Sequence, residues 1–293
     1  MSDPVKKGGI VGAGLVPGLP HLLASKPDAG WTQLADATRE LGRELRAAGA
    51  ESLMLVSSQW FSVLGLLVQT RPVLEGTRVD ENWYPYDYGT LDYKLRTDVA
   101  LTDCWMQQLR SSGFQVRAVD HPHFPMDTGT VVATRLLDPE GELSIAGVSL
   151  NLYGDHASVE RVGRAAREAA EASGRRVAIV GISALSAHPH RTWIEPSQDR
   201  ISSPAHEQWN KRVLGLLEAG RVDELKSVRD KYIAETAADA QFRTFSFLHG
   251  AADLSRPATV RAHAPVWGMG AAVISWTSGS TDKLGSSDKE TAA

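Results

Sequence analysis

LMLVSSQWF, residues 53–61, is the stretch on which the interpretation of the whole chain depends. It begins with four apolar residues, a run that is typical of a strand buried on both faces of a sheet. Two serines and Gln59 follow, so the strand opens into polar side chains at its carboxyl end. Open α/β sheets bind ligands at that end of their strands. Gln59 is therefore a candidate functional residue, or the replacement of one.

Strand and helix patterns alternate on both sides of this stretch. Residues 10–23 predict a short strand that leads into a loop ending at His21, and residues 31–48 carry a helical apolar face that stops at Gly49. The other predicted strands are residues 63–69, 115–119, 143–150, 177–182 and 271–276, and the other predicted helices are residues 97–110, 158–172 and a helix that starts at Pro204 after an N-cap at Ser203. This alternation predicts one α/β domain, residues 1–276, with helices on both faces of a sheet. Residues 277–293 are polar and lack core formers, which predicts a disordered tail.

The composition excludes several classes of function. A net charge of −4, with both signs interspersed, offers no basic stripe for nucleic acid. The single cysteine, Cys104, excludes an intramolecular disulfide and multi-cysteine metal sites, and its apolar neighbours predict a buried helix residue. No segment reaches about 18 apolar residues, and no signal-peptide core follows the first lysines. We therefore expect a soluble cytoplasmic protein without nucleic-acid or membrane partners.

Two common catalytic motifs are incomplete. GAG at residues 12–14 is followed by Pro17 where a dinucleotide-binding GxGxxG motif requires its third glycine. Ser57 and Ser58 lack the flanking glycines of a GxSxG hydrolase elbow. Neither a dinucleotide site nor a serine nucleophile is expected.

Histidines follow several of the predicted strands, namely His21, His121, His123, His188 and His190. Each of them alone is more often an exposed loop residue than a ligand. As a group they suggest a non-haem iron site, which needs two imidazoles and one carboxylate on one face. The sequence does not show which of them converge.

The segment VDENWYPYDYG, residues 79–89, combines three acids with four aromatic residues. One interpretation is a structured loop that Trp83 and Tyr86 fix to the core. The other is an aromatic surface for a partner chain or a ring-shaped substrate, with Trp83, Tyr84 and Tyr86 as its contacts.

Eight motifs, taken in order, resemble those of the LigB-type (class III) extradiol ring-cleavage dioxygenases, and most closely the two-subunit 2-aminophenol 1,6-dioxygenases. The motifs are GLVPGLPHLL, LVSSQW, RVDENWY, FPMDTGT, VSLNLYG, GISALS, WNKRVLGLLEAG and WGMGAAVISW, between about residues 8 and 276. The resemblance implies a LigB-like domain with a mostly parallel mixed sheet. It also implies, for catalytic chains, Fe(II) held by two histidines and a late glutamate, with a further histidine as acid/base.

This chain departs from the family pattern at each of those positions. The resemblance places the first ligand at Gly18, the second at Gln59, the acid/base histidine at Ala187, and the carboxylate at Asp239 or Glu235. An amide is a poor ligand for Fe(II), but it can hydrogen-bond and so remain buried without metal. Restoring histidine at both ligand positions is expected to create weak Fe(II) binding if Asp239 faces the same cleft.

The acid/base role of the family does not transfer to the histidines beside Ala187. A shift of one residue along an extended segment turns a side chain to the opposite face. We therefore expect neither His188 nor His190 to act as acid or base.

Three functions compete. The first is an iron-free α-type subunit, without a cofactor of its own, whose homologous β subunit holds Fe(II) and cleaves 2-aminophenol-like rings. The second is an autonomous metalloenzyme with a rearranged site from His21, His121 or His123, His188 or His190, and Asp239 or Glu235. The third is a non-enzymatic protein that binds an aromatic small molecule in the old cleft. Self-association instead of a hetero-oligomer also remains open.

Overall fold

The computed structural model describes residues 8–79 and 90–277 of the 293-residue chain. Within these residues no helix is both long and apolar enough to cross a membrane. The strands are β1 (Gly9–Val16), β2 (Ser52–Ser62), β3 (Leu66–Gln69), β4 (Val73–Arg78), β5 (Leu91–Arg96), β6 (Val116–Val119), β7 (Ser144–Asn151), β8 (Arg176–Ile182), β9 (Thr259–Val266) and β10 (Met269–Thr277). The α-helices are α1 (Ala29–Ala47), α2 (Val99–Ser111), α3 (Thr128–Leu137), α4 (His156–Ser173), α5 (Pro204–Glu218), α6 (Val222–Thr236) and α7 (Arg243–Ala251).

An eight-stranded sheet in the order β6-β3-β7-β2-β8-β1-β10-β9 forms the centre of the domain. The four strands β7, β2, β8 and β1 run parallel to one another, whereas β10 is antiparallel to both β1 and β9. The carboxyl ends of β1, β2 and β8 therefore meet at one edge, which is the edge where parallel α/β sheets place their sites. The expected mostly parallel mixed sheet is confirmed.

Apolar layers cover both faces of the sheet. Met54 and Val56 of β2 belong to one buried cluster, and Leu53 and Leu55 belong to the other. Helices α2, α4, α5, α6 and α7 contribute to the first cluster, whereas α1 and α3 contribute to the second. This two-sided burial explains why β2 begins as a continuous apolar run instead of an alternating one.

The N-cap predicted at Ser203 is present, and Asp28 forms another that was not predicted. Asp28 precedes α1 and accepts from the backbone N–H of Gly30, and Ser203 precedes Pro204 at the start of α5 and accepts from the N–H of Ala205. These side chains satisfy N–H groups that the first helical turn leaves without partners.

Several expectations need correction. The strand predicted from residue 63 begins only at Leu66, because residues 63–65 form a turn with Gly65 at φ +73°. Cys104 lies in α2 as expected but is half-buried instead of buried. Thr277, assigned to the polar tail, is the last residue of β10. The rest of the predicted tail lies outside the described residues.

The small antiparallel sheet of β4 and β5 was not anticipated, since only Leu74 and Leu91 of its two short strands are buried in the core. The two strands flank the aromatic segment. Val79, the first residue of that segment, is exposed. The rest of the segment lies outside the described residues, and so do the predicted contact residues Trp83, Tyr84 and Tyr86.

Candidate functional site

The carboxyl end of β2 leaves its ladder with β7 just where the sequence turns polar. Val56 pairs with Val148, but the next register pair is Phe61 with Leu150, so β2 spans more residues than its partner over the same distance. Such a bulge re-aims side chains. The three polar residues 57–59 consequently point to three different neighbours.

Gln59 forms a hydrogen bond to the loop that follows β1. Its side-chain Nε2 donates to the backbone oxygen of Gly18 over 2.9 Å. The expected hydrogen bond is therefore present, but the expected burial is wrong, because Gln59 is exposed at the edge of the sheet.

Gly18 itself is buried and has no space for a side chain. A Cβ atom there would lie 2.5 Å from the Cα of Gly129 and 2.6 Å from the Cγ2 of Ile182. A Cβ at Gly129 would in turn lie 2.9 Å from the Oγ of Ser57 and 3.1 Å from the Cδ of Gln59. Backbone closes on backbone here, so the start of α3 fills the position at which the resemblance predicts the first ligand.

Asp127 fixes the start of α3 in this place. Its Oδ1 accepts from the Oγ of Ser57 at 2.6 Å and from the backbone N–H of Thr130 at 2.9 Å. The side chain is at once the N-cap of α3 and a link to β2. Sequence reasoning missed this contact, although an aspartate three residues before Thr130 in FPMDTGT is a recognisable helix-start signal.

Asp239 lies at the same edge and is the hydrogen-bond partner of Ser58, the remaining one of the polar residues 57–59. Its Oδ2 accepts from the Oγ of Ser58 at 2.6 Å, from the Oγ of Ser183 at 2.9 Å and from the backbone N–H of Ala184 at 2.8 Å. Burial nevertheless raises the pKa of Asp239, because desolvation of the carboxylate outweighs these hydrogen bonds.

The backbone after Asp239 is strained. Ala240, Gln241 and Phe242 have φ values of +47°, +56° and +57°, a left-handed run without a glycine. Each such residue costs on the order of 1–2 kcal/mol, so surrounding contacts must impose the conformation. One of those contacts is the backbone N–H of Asp239, which donates to the oxygen of Leu185 at 2.9 Å.

Ala187 follows the loop that surrounds Asp239 and is half-buried. Ser186, beside it, forms an isolated antiparallel bridge with Ala238. The four positions taken from the family pattern therefore lie at one edge of the sheet: Gln59 in the last part of β2, Asp239 at the start of a 3-10 helix, and Gly18 and Ala187 in loops. That they are remnants of an iron site stays a prediction.

The candidate histidines do not join these positions. His21 lies in a 3-10 turn (Pro20–Leu23), buried between Trp31 and Trp267 with ring centroids 5.0 Å and 5.5 Å away, and burial lowers the pKa of His21 to about 3. His121 and His123 are exposed and adjacent, with ring centroids 5.8 Å apart.

The remaining candidates have other partners. The exposed His188 lies against His206, with ring centroids 5.6 Å apart, and the Nε2 of His190 donates to the oxygen of Arg200 at 3.1 Å. Glu235 accepts from the indole N–H of Trp209 at 2.5 Å. Within residues 8–79 and 90–277, no three His, Cys, Asp or Glu side chains form a group that could hold a metal ion.

The Fe(II) implied by the resemblance does not fit this edge. Gly18 has no donor atom, the amide N–H of Gln59 is bonded to a carbonyl, and Asp239 accepts from its neighbours. An iron site of this type requires two imidazoles beside the carboxylate. The geometry also gives the rearranged site from the other histidines no support.

Comparison with known proteins is consistent with the fold. The chain matches the family model described as the catalytic LigB subunit of aromatic ring-opening dioxygenase over residues 16–274. It is 35% identical over 273 residues to the alpha subunit of 2-aminophenol 1,6-dioxygenase from a Pseudomonas species, with 92% of this chain and 99% of the relative covered. The beta subunit of 2-aminophenol 1,6-dioxygenase from a Pseudomonas species is 25% identical over 289 residues, with 92% and 94% covered.

A solved structure matches as well. The crystal structure of an uncharacterized protein from Escherichia coli K12 superposes with a TM-score of 0.65 at 14% identity, covering 90% of this chain and 99% of that one. At this identity the match shows a common fold and nothing about activity.

Proposed function

Because the chain belongs to the LigB family of aromatic ring-opening dioxygenases, we propose that it is the α-type subunit of a two-chain extradiol dioxygenase for 2-aminophenol-like rings. A homologous β-type subunit would hold Fe(II), activate O₂ and open the ring beside the amino-bearing carbon. The identity of 35% to an alpha subunit, against 25% to a beta subunit, supports the assignment to the α type.

One observation carries the proposal that this chain is iron-free. The backbone of Gly129 occupies the space that any side chain at position 18 would need. A Cβ atom at position 18 would lie 2.5 Å from the Cα of Gly129. A substitution at a ligand position could be compensated by a neighbouring side chain. A backbone that closes on the position leaves no such space.

The polar groups at this edge act as structural ties. Ser57, Ser58 and Gln59 bond to Asp127, Asp239 and the carbonyl of Gly18, and so join β2 to α3, to the segment before α7 and to the loop after β1. Groups held in this way stabilise the edge by joining three segments of the chain. The contribution of this chain is therefore to assembly and stability.

Purification of the chain alone, of the β-type subunit of its source organism alone, and of both together tests this function. We expect the isolated chain to carry no stoichiometric iron by metal analysis and to leave 2-aminophenol intact. The co-purified pair should contain iron and cleave the ring, followed as loss of substrate and uptake of O₂. About one Fe(II) per isolated chain together with turnover would overturn the proposal.

A further inference from the structure

Two adjoining turns at the carboxyl ends of β2 and β7 expose a group of apolar side chains. The turns are residues 62–65 and 151–154, and the exposed side chains on or beside them are Phe61, Val63, Leu64, Leu152 and Tyr153. We call these five side chains the twin-turn patch. Tyr153 is 78% exposed and Leu64 is 66% exposed, so neither lies in a cavity that could enclose a small molecule.

Hydrogen bonds hold the two turns together. The backbone N–H of Leu152 donates to the oxygen of Ser62 at 2.8 Å, and the Nδ2 of Asn151 donates to the oxygen of Gly65 at 2.9 Å. Within the second turn, the N–H of Tyr153 donates to the Oδ1 of Asn151 at 2.9 Å. The exposed side chains therefore stand on fixed backbone.

A buried arginine lies beneath the patch. Arg243 is 3% exposed, and its Nη1 donates to the backbone oxygens of Asn151 at 2.8 Å, Leu152 at 3.1 Å and Gly154 at 2.9 Å. Its guanidinium carbon also lies 5.5 Å from the ring centroid of Phe61. Among the described residues no carboxylate forms an ion pair with Arg243.

Burial of Arg243 is energetically unfavourable, which suggests that the turns it supports have a function. Burying a guanidinium without a carboxylate partner carries a desolvation cost, and burial accordingly lowers the pKa of Arg243. The cation is used to fix turns that present apolar side chains to solvent. Such preorganised anchors bind a partner with little loss of conformational entropy.

We propose that the twin-turn patch is the apolar centre of the surface through which this chain binds its β-type subunit, an inference that rests on the proposed function. The five side chains expose on the order of 500 Å², comparable to the largest apolar patch of an ordinary monomer, which is often functional. A stable interface buries about 800 Å² on each partner, so the patch would fill its centre and leave a polar rim.

The observations favour a β-type chain over a second copy of this one. Two relatives of this chain are an alpha and a beta subunit, and both are matched over almost their whole length. An assembly of this chain with itself would contain, within residues 8–79 and 90–277, no group of side chains that fits the family's iron. The occupant of the patch is accordingly the subunit that supplies the metal.

The test is a binding measurement with the β-type subunit of the source organism as the probe and the Pseudomonas beta subunit as a second probe. The double variant L64E/Y153E places two charges in the centre of the proposed interface. We expect its Kd to rise by about 30-fold or more, the scale of a lost hot spot. Val99→Glu is the matched control, because Val99 is exposed in the first turn of α2 at the opposite edge, where an acidic residue is well tolerated.

A second measurement uses only the wild-type chain. Oxidative footprinting should show Tyr153 reactive in the free chain and protected in the complex. If the wild-type chain does not bind either probe, the proposed function fails. If it binds, but L64E/Y153E binds equally well or Tyr153 stays reactive, the function stands and the interface assignment is overturned. If L64E/Y153E lowers the molecular mass of the chain measured in solution without the β-type subunit, but leaves binding of that subunit unchanged, the patch is a contact between two copies of this chain. That result would also overturn the interface assignment.

Discussion

The carboxyl end of β2 contains two regions that face in opposite directions, one toward the protein interior and one toward solvent. Ser57 and Gln59 turn inward to Asp127 and to the carbonyl of Gly18, and together with Gly129 they close the edge. The twin-turn patch begins only two residues further on and faces solvent on turns fixed from below. The contrast teaches that one strand can end in a tightly closed polar edge and, two residues later, in an exposed apolar surface. Substitutions in the closed edge should cost stability, whereas substitutions in the patch should cost binding.

The largest effect is expected for Gly18→Ala. Its Cβ would collide with the Cα of Gly129 at 2.5 Å, so the free energy of unfolding should fall by about 3 kcal/mol, a typical cost of overpacking. Urea denaturation followed by circular dichroism measures this loss. Gly215→Ala in α5 is the control, because its Cβ meets no atom within 4 Å and should add up to about 1 kcal/mol.

The same result bears on the expectation that histidines at positions 18 and 59 would restore iron binding. Gly18→His adds the same Cβ and a whole imidazole, so we now expect the double variant to unfold or to open the edge before it binds metal. Wild-type stability in Gly18→Ala would show that the closure is loose and would revive the earlier expectation.

A slightly smaller effect is expected for Arg243→Met, which tests the support of the patch. The variant removes the donors to three turn carbonyls, which should lower the free energy of unfolding by about 2 kcal/mol. Amide exchange at residues 152–154 should also accelerate. Arg164→Met is the control, since Arg164 is exposed on α4 and should change stability by less than about 0.5 kcal/mol. Unaltered exchange would mean that the turns are fixed without Arg243.

Gln59→Leu removes one hydrogen bond of the closed edge and is expected to cost about 1 kcal/mol. The loss is smaller than at Gly18 because Gln59 is exposed and water can replace its amide. Gln107→Leu on the exposed face of α2 serves as the control in the same urea titration. Equal stabilities of the two variants would show that the bond to Gly18 contributes nothing.

The last predicted effect is a change in the pH dependence of stability at Asp239. Burial raises the pKa of Asp239 above 3.8, so its folded form binds the proton more tightly than the unfolded chain. The contribution of this group to stability is greatest below pH 3.8 and declines as the pH rises through the window up to the folded pKa. Asp239→Asn keeps an oxygen acceptor without the charge, so its stability relative to wild type should improve as the pH rises from about 4 to about 7.

Urea titrations of wild type and Asp239→Asn across that range measure the difference. Asp103→Asn, on the exposed face of α2, should show no such trend. A stability difference that is constant with pH would contradict the assigned direction of the pKa shift.

Local patterns predicted the elements that position the site, but not the contacts that fill it. The apolar run of residues 53–56 and the helical face of α1 could be recognised because neighbouring residues alone determine those periodicities. The closure at Gly18 could not, since it depends on Gly129 far along the chain, and a glycine carries no pattern of its own.

The histidines were misleading for a similar reason. Their positions after strands suggested convergence, yet His21 packs between two tryptophans and His188 lies against His206. The exposure of Leu152 and Tyr153 could not be predicted either. They follow an apolar strand in sequence, and the hydrogen bonds that fix their turn come from Ser62, Asn151 and Arg243, which are distant or polar residues.

The contact between Gly18 and Gly129 also restricts how this sequence can change over generations. A descendant that acquired a histidine at position 18 would first have to move the start of α3, and that movement would break the ties of Asp127 to Ser57 and Thr130. Single substitutions toward a metal ligand therefore pass through chains that fold poorly, and selection removes such chains before any new chemistry can be favoured. The closed edge therefore opposes the return of a metal ligand at position 18.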